Sequence, residues 1–290
     1  MLLTTNHLTK DYGNCRALEN LCLEIPKGEI FGLLGPNGSG KSTAIRLLLG
    51  MIRPSGGSAH IAGFDCWDQS VEVRGQVAYL PGELRLYDNL TGRQLLDFLA
   101  GLRGQTYGSE VDHLARRFDI DLKRPINALS SGMKRKLALL SVLLPRVPVL
   151  ILDEPTNTLD PTMRDELLDQ LIEARKRGQT VLFSSHVLQE VERVCDRVGI
   201  LAKGKLVHLE PMGRLSSGRQ ISLTLAQPLT SALPNGVTIQ RNDGKHWQLT
   251  IEEHLPELLT WLTQQAVEDV RIEPLGLAPV YQRYHKNGAG

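Results

Sequence analysis

The feature that most constrains the fold of this sequence is an apolar segment followed by a glycine-rich loop and a helical pattern. Ile30 to Leu34 has the length of a buried strand, and Ala44 to Leu49 has helical periodicity. Between them, Gly35 to Ser42 fits G-x-x-x-x-G-K-[ST] at every fixed position. A strand, a tight glycine-rich turn and a helix in this order are typical of α/β proteins with a phosphate-binding loop.

The residue types of this loop suit an anionic ligand. Glycines let the backbone curve so that successive N–H groups face one phosphate, and the helix adds its positive N-terminal end. The Lys41 ammonium is a candidate ligand of the β- and γ-phosphates, and the Ser42 hydroxyl is a candidate ligand of Mg²⁺. The residues expected to hold the nucleotide are Gly35, Pro36, Asn37, Gly38, Ser39, Gly40, Lys41, Ser42 and Thr43.

A second candidate site element lies far downstream, where two acids end an apolar run. Val149 to Leu152 has the pattern of a buried strand, and Asp153 and Glu154 follow it directly. At the carboxyl end of a strand, Asp153 could reach a Mg²⁺ ion beside Ser42. Glu154 could orient and deprotonate a water that faces the γ-phosphate. Two acids in a turn are common in isolation, but together with the loop they predict phosphoryl chemistry.

Further apolar runs of strand length alternate with helical patterns along the chain. Helical periodicity covers residues 162–177 and 187–194. Buried strands that alternate with helices predict an α/β fold with a largely parallel sheet. The other two runs of this kind are Val77 to Leu80 and Val181 to Ser184.

Composition excludes several classes of protein. Lys and Arg number 33 against 32 Asp and Glu, and this balance argues against nucleic acid or anionic lipid held by bulk charge. The longest apolar stretch, Leu137 to Leu144, is far shorter than the roughly 20 residues of a membrane-spanning helix. The N-terminus has no secretory-signal pattern, and the cysteines are scattered without CxxC spacing. We therefore expect a cytoplasmic protein with reduced thiols.

The C-terminal part differs in character from the rest. Residues 210–219 contain Pro, Gly and Ser at the density of a linker, so we place a domain boundary after residue 214. Beyond it, Ile221 to Leu225 and Gln248 to Ile251 alternate like half-buried strands. Leu255 to Ala266 reads as an amphipathic helix and Val267 to Ile272 as a last strand. This pattern predicts a small α+β unit that carries no catalytic cluster.

The segment Leu129-Ser130-Ser131-Gly132-Met133 precedes a basic and apolar helical pattern and lies shortly before the Asp153-Glu154 strand. With the phosphate loop and this order, residues 1 to about 210 resemble the ATP-binding subunit of ABC transporters. That family carries a Leu-Ser-Gly-Gly-Gln signature here. The resemblance implies that Ser130, Ser131 and Gly132 contact the γ-phosphate bound by another subunit.

Three other positions match the family pattern. The resemblance implies that Tyr12 stacks on the adenine and that Asn157 to Asp160 forms a dimer-contact loop. It also implies that His186, which follows the strand Val181 to Ser184, senses the γ-phosphate. Taken alone, a single Tyr or His is more often structural.

The sequence departs from the family at two places. The family usually has Gln after Tyr-Leu-Pro, at the loop that senses Mg²⁺, whereas this chain has Gly82 and Glu83 there. Glu83 is therefore a candidate for a water or Mg²⁺ contact. In the signature, Ser131 replaces Gly and Met133 replaces Gln. Ser131 keeps its backbone N–H, so phosphate binding should survive.

The resemblance implies a complete architecture. We expect a P-loop NTPase core with a mixed, largely parallel sheet, an antiparallel β subdomain and a helical subdomain over residues 84–146. Residues 1–214 then form the ABC-type ATP-binding domain. Residues 215–290 form a small accessory domain similar to that of some ABC-2 exporters.

The implied function is an ATPase subunit that binds ATP and Mg²⁺, dimerises head to tail around two nucleotides and powers transport through a separate membrane permease. Its location is then the cytoplasmic face of the inner or plasma membrane, docked near residues 79–90, with no nucleic acid as partner. The second ATPase subunit is a copy of this chain or a different one. A soluble ABC ATPase that acts on ribosomes or DNA is the runner-up, and a non-hydrolysing nucleotide sensor is the third hypothesis.

Overall fold

The computed structural model of the chain describes residues 1–227, 232–251 and 254–286. The chain divides into two compact units, residues 1–209 and 210–290, whereas the predicted boundary lies after residue 214. Helices and strands alternate through most of the first unit. Its strands are β1 Leu3–Tyr12, β2 Cys15–Ile25, β3 Ile30–Leu34, β4 Gly56–Ile61, β5 Phe64–Asp65, β6 Val77–Leu80, β7 Val149–Asp153, β8 Thr180–Ser185, β9 Arg197–Ala202 and β10 Lys205–Pro211.

The helices of the first unit fall between these strands. They are α1 Lys41–Leu48, α2 Ser70–Gln76, α3 Gly92–Leu102, α4 Glu110–Arg117, α5 Ser131–Leu143, α6 Pro161–Lys176 and α7 Leu188–Val194. A short 3-10 turn covers Ile126–Ala128.

The central six-stranded sheet has the order β10-β9-β3-β8-β7-β6. Its strands from β9 to β6 pair in parallel, with Leu34 opposite Ser185 and Asp153 opposite Ser184. The carboxyl ends of β3, β8 and β7 therefore meet at one edge of the sheet. Every residue of β3 and of β7 is buried, which explains why these strands appear in the sequence as continuous apolar runs.

A second sheet of the first unit has the order β2-β1-β4-β5 and pairs antiparallel. One apolar cluster joins it to α1 and to the central sheet. This cluster contains Leu21 and Ile25 of β2, Leu47 of α1, and Phe31 and Ile151 of the central sheet. The predicted fold class, a mixed and largely parallel sheet with an antiparallel β layer and helices, is confirmed.

The range 84–146, predicted as a helical subdomain, contains α3, α4 and α5. Thr91 begins α3 with a capping box: its side chain accepts from the N–H of Gln94, and the Gln94 side chain accepts from the N–H of Thr91. Ser130 caps α5 with its side-chain hydroxyl, which accepts from the N–H of Met133 at 3.3 Å. The segment that resembles a signature thus ends at the start of a helix.

The second unit contains α8 Met212–Ser217, β11 Arg219–Leu225, β12 Val237–Asn242, β13 His246–Ile251, α9 Leu255–Leu262, β14 Val267–Pro274 and α10 Ala278–Lys286. Four strands form an antiparallel sheet in the order β12-β13-β11-β14. Leu223 and Leu249 from the sheet pack with Leu258 and Trp261 of α9 in one core.

The helix predicted over residues 255–266 is shorter in the structure and ends at Leu262. Gln264 and Gln265 donate their N–H groups to the carbonyls of Trp261 and Leu262, which are three residues back. These tighter bonds close the last turn and redirect the chain into β14.

In the part of the chain that the structure describes, we find no helix with the length and apolar content that crossing a bilayer requires.

A chain that ends at Arg214 should fold as a unit. It retains the whole central sheet and every residue of the apolar cluster around α1. We expect its midpoint of thermal unfolding, followed by circular dichroism, to stay within about 4 °C of the full chain, the shift that about 1 kcal/mol produces in a domain of this size. A chain that ends at Cys195 is the control, because it lacks β9 and should lose cooperative unfolding. A truncated Arg214 chain that aggregates or melts without a transition would contradict the boundary.

Candidate functional site

The glycine-rich loop connects β3 to α1, and Lys41 is the first residue of that helix. The Lys41 side chain is 6% exposed, and its Nζ donates to the carbonyls of Gly35 at 2.6 Å and Pro36 at 3.2 Å. The ammonium is therefore held inside the curve of the loop. Together with the N–H groups at the helix start, it forms a site that favours an anion.

Two glycines of this loop are required by close approach of the backbone. A Cβ atom at Gly35 would lie 2.4 Å from the carbonyl oxygen of Leu201. A Cβ atom at Gly40 would lie 2.7 Å from the carbonyl oxygen of Ala17, and the φ angle of Gly40 is 106°. Residues with side chains rarely adopt this angle. The curvature of the loop thus depends on glycine at both positions.

Asp153, at the end of β7, bonds side chains from two other elements. Its Oδ2 accepts from Ser42 Oγ at 2.9 Å, and its Oδ1 accepts from Ser184 Oγ at 2.7 Å. Ser42 and Asp153 were predicted to share a metal ion, and the structure brings them into contact. Ser184 was not predicted as a site residue; it reaches Asp153 because the two residues are register partners in β7 and β8.

The Glu154 carboxylate lies between two basic side chains. Its Oε2 is 2.6 Å from His186 Nδ1, and its Oε1 is 3.5 Å from Lys41 Nζ. The N–H of Glu154 donates to Ser184 Oγ at 2.9 Å, which fixes the start of the turn. The Glu154 side chain is 15% exposed against 53% for His186, so the imidazole lies on the solvent side of the carboxylate. All three predicted catalytic side chains are thus adjacent.

The site has unsatisfied polar atoms that fit a phosphate and a water. Among the described residues, Ser39 Oγ and Glu154 Oε1 are buried without a hydrogen-bond partner. Such atoms usually bind a ligand or water in proteins. Ser42 Oγ and Asp153 Oδ2 are hard oxygen donors of the kind that Mg²⁺ takes together with waters and phosphates. Within the described ranges, no group of three or more His, Cys, Asp or Glu side chains could hold a metal unaided.

A buried arginine, which no sequence motif indicates, lies behind these carboxylates. Arg135 of α5 is 2% exposed and donates to the carbonyl of Asp153 at 3.2 Å. Burial lowers the pKa of its guanidinium, and the charges of Asp153 and Glu154 oppose that shift. Since arginine stays protonated in proteins, a fixed positive charge lies behind the two acids.

Glu190 is a second buried group that the motifs did not indicate. Its Oε2 accepts from Thr156 Oγ1 and from Ser185 Oγ, both at 3.0 Å. Thr156 lies two residues after Glu154, and Ser185 directly precedes His186. Glu190 of α7 therefore ties together the two segments that carry the catalytic pair.

The signature-like residues do not join this cluster within one chain. Ser130 and Ser131 are exposed at the start of α5. A Cβ atom at Gly132 would lie 3.3 Å from the carbonyl oxygen of Thr158, so the helix start packs against the loop that follows Glu154. These three residues present their N-terminal helix end at the surface, where a second molecule can reach it.

Two other predicted residues also lie apart from the cluster. Tyr12 ends β1 with its ring about half exposed, and the Lys10 ammonium lies 5.1 Å from the ring centroid. Glu83 is exposed and makes no hydrogen bond or ion pair within the described residues. Gly82 approaches Asp153, since a Cβ atom there would lie 3.7 Å from Asp153 Oδ2.

Comparison with known proteins identifies the family of this chain. Residues 18–157 match the ABC transporter family. The chain is 31% identical over 234 residues to the linearmycin resistance ATP-binding protein LnrL of Bacillus subtilis, covering 78% of this chain and 75% of that protein. It is 36% identical over 221 residues to the bacitracin transport ATP-binding protein BcrA of Bacillus licheniformis, covering 74% of this chain and 71% of that one.

Solved structures of the same kind are also similar. A structure of an ATP-binding subunit of an ABC transporter superposes with a TM-score of 0.68 at 32% identity, covering 73% of this chain and 90% of that one. The chain belongs to the family of ABC transporter ATP-binding proteins.

Proposed function

We propose that this chain is the ATP-hydrolysing subunit of a transporter and that it drives export through a separate membrane permease. One observation carries the proposal: Lys41, Ser42, Asp153, Glu154 and His186 meet at one edge of the central sheet with the contacts that phosphoryl transfer to water requires. Export is supported by two relatives, whose names describe linearmycin resistance and bacitracin transport.

The nucleotide's phosphates occupy the curve of the loop. Lys41 Nζ exchanges its contacts with the carbonyls of Gly35 and Pro36 for β- and γ-phosphate oxygens, and Ser39 Oγ gains an acceptor. Ser42 and Asp153 would hold Mg²⁺, which neutralises charge on the phosphates when bound. Tyr12 is the candidate to stack on the adenine.

Hydrolysis is the attack of a water oxygen on the γ-phosphorus, with breakage of the bond to the β-phosphate oxygen. Glu154 accepts the proton of that water, and its Oε1 has no other hydrogen-bond partner among the described residues. The His186 ring lies against the other carboxylate oxygen and orients it. Lys41 stabilises the charge that develops on the γ-phosphate oxygens.

A second subunit completes the site. Among the described residues, no hydrogen bond joins Ser130, Ser131 or Gly132 to their own phosphate loop, and they lie at a helix start, whose first N–H groups have no partner within the helix. When these N–H groups lie against the γ-phosphate bound by another molecule, they bind that phosphate and shield it from solvent. We propose that the second molecule is a copy of this chain; a different ATPase subunit is the alternative.

The permease contact is proposed at an exposed apolar patch in the helical range, formed by Tyr87, Phe98 and Leu102. These side chains are 61%, 47% and 69% exposed. The rings of Tyr87 and Phe98 meet edge to face with centroids 6.0 Å apart, and Leu102 lies one helical turn beyond Phe98 on α3. A cytoplasmic apolar helix of the permease is the proposed occupant, and the proposed location of the chain is therefore the cytoplasmic face of the membrane.

Action on ribosomes or nucleic acid remains the second candidate function. The net charge of +1 provides no bulk attraction for a polyanion. The exposed apolar patch also favours a protein surface over a phosphate backbone.

Glu154→Gln should separate binding from chemistry. The amide cannot take the water's proton, so we expect kcat to fall by about 10²- to 10⁴-fold while ATP still binds. Unhydrolysed ATP should then hold two chains together, so the variant should be monomeric without nucleotide and dimeric with MgATP. Size-exclusion chromatography with light scattering measures the mass.

Glu173→Gln on α6 is the matched control, because that side chain is 46% exposed and, within the described ranges, its ion pair is with the neighbouring Lys176. It should turn over ATP like the parent. A Glu154→Gln chain with the parent rate would remove the general-base assignment. One that binds MgATP and stays monomeric would point to a different subunit as its partner.

The double variant Phe98→Ser, Leu102→Ser should lose membrane attachment while it keeps ATP hydrolysis. Two apolar side chains contribute about 3 kcal/mol when buried, which is about a hundredfold in dissociation constant. We expect the wild-type chain to sediment with membranes of its native host and the double variant to stay in solution. Val71→Ser is the control, since Val71 is as exposed but lies on α2. A wild-type chain that sediments with ribosomes would favour the second candidate function.

A further inference from the structure

Arg135 is a buried cation whose partners are all backbone carbonyls. Nε donates to Pro155 at 3.0 Å, Nη1 donates to Pro81 at 2.9 Å and to Gly82 at 3.1 Å, and Nη2 donates to Asp153 and Glu154. Five carbonyls match the five N–H groups of a guanidinium. No carboxylate lies within ion-pair distance of Arg135 in the described part of the chain.

These carbonyls belong to two separate segments of the chain. Pro81 and Gly82 directly follow β6 and precede Tyr87 of the proposed permease contact by a few residues in the chain. Asp153 ends β7, and Glu154, the proposed general base, and Pro155 follow it directly. The segments follow neighbouring strands, but a single planar side chain from α5 bonds both at once.

The backbone of Glu154 is in a conformation that needs support. Its φ angle is 49°, in the left-handed region that residues with side chains seldom occupy. Such a conformation persists only where the surroundings fix it. Arg135 bonds the carbonyl of Glu154 and those of both its neighbours, while Ser184 holds its N–H.

We infer that Arg135 is a positioning residue that holds Glu154 in its catalytic orientation and couples it to the Pro81–Gly82 segment. A displacement of that segment moves two of the five carbonyls on the guanidinium and thereby shifts the three around Glu154. The inference rests on the proposed function, because it assigns the Pro81–Gly82 segment to the permease side and Glu154 to the chemistry.

The loop itself offers no side chain for this coupling. Gly82 has none, although a Cβ atom there would lie 3.7 Å from Asp153 Oδ2, and the Glu83 side chain is exposed. The backbone carbonyls of Pro81 and Gly82 are therefore connected to the backbone of Glu154 by the hydrogen bonds of Arg135. Ser130 caps the helix α5, Ser131 is its first residue, and Arg135 lies on it. One helix therefore connects the proposed dimer contact to the side chain that bonds the backbone of Glu154.

Arg135→Lys tests the inference. Lysine keeps the charge and three N–H groups, but its single ammonium cannot bond both segments in the fork geometry of arginine. We expect kcat for ATP to fall about 10- to 100-fold, as misplacement of a catalytic group does. KM should stay within threefold, because the phosphate loop is untouched. Arg135→Gln serves in the same assay if the lysine variant does not fold.

The matched control is Arg103→Lys. Arg103 also donates to a buried-strand carbonyl, that of Val77 at the start of β6, but among the described residues it makes no hydrogen bond or ion pair to β7. We expect its kcat and KM to equal those of the parent. An Arg135 variant with the parent kcat, or one whose loss of rate equals its loss of folded protein, would overturn the inference.

Hydrogen exchange on the same proteins supplies a readout that general destabilisation does not mimic. In Arg135→Lys, exchange should rise in residues 78–90 and 153–160 together and stay unchanged in α1 and α6. A rise spread over the whole first unit would overturn the positioning role. If the wild-type chain hydrolyses no ATP, the proposed function is wrong. If the wild-type chain hydrolyses ATP and the Arg135 variant does so at the same rate, only the inference about Arg135 is wrong.

Discussion

The parallel pairing of β3, β8 and β7 is the constraint on which the site depends. Register partners on these strands bring the phosphate loop, the two acids and His186 to one edge, although their positions in the chain are far apart. Ser184 illustrates the consequence, since its hydroxyl bonds Asp153 and accepts from the N–H of Glu154. The buried apolar strands form a rigid support, and the polar residues at their carboxyl ends form the site.

Charge balance explains why this edge tolerates so many buried ionisable groups. Lys41 and His186 contact the Glu154 carboxylate from two sides, and Arg135 lies behind it. Lys41, Glu154 and Arg135 are largely removed from water, so their charges must be paired or hydrogen-bonded. This arrangement also holds Glu154 in a left-handed backbone conformation, with strain located where the proposed chemistry occurs.

Much of this arrangement could be predicted from the sequence, because its signals are local. The buried strands Ile30–Leu34 and Val77–Leu80 are continuous apolar runs, and the structure has them with those bounds. The roles of Arg135 and Glu190 could not be predicted, because their partners are backbone carbonyls or hydroxyls that only tertiary packing brings near. The available signal was a charged residue on an otherwise apolar helix face: Arg135 precedes Ala138, Leu139 and Val142 at spacings of three, four and seven.

ATP turnover by Lys41→Ala tests the central claim most directly, that the curve of the glycine-rich loop holds the phosphates for hydrolysis. The variant removes one ammonium from a polar pocket and leaves the apolar core intact. We expect kcat/KM to fall by at least about 10²-fold, as when one preorganised donor to the reacting group is lost. The thermal unfolding midpoint should remain near that of the parent. A folded Lys41→Ala chain that hydrolyses ATP at close to the parent rate would contradict the account.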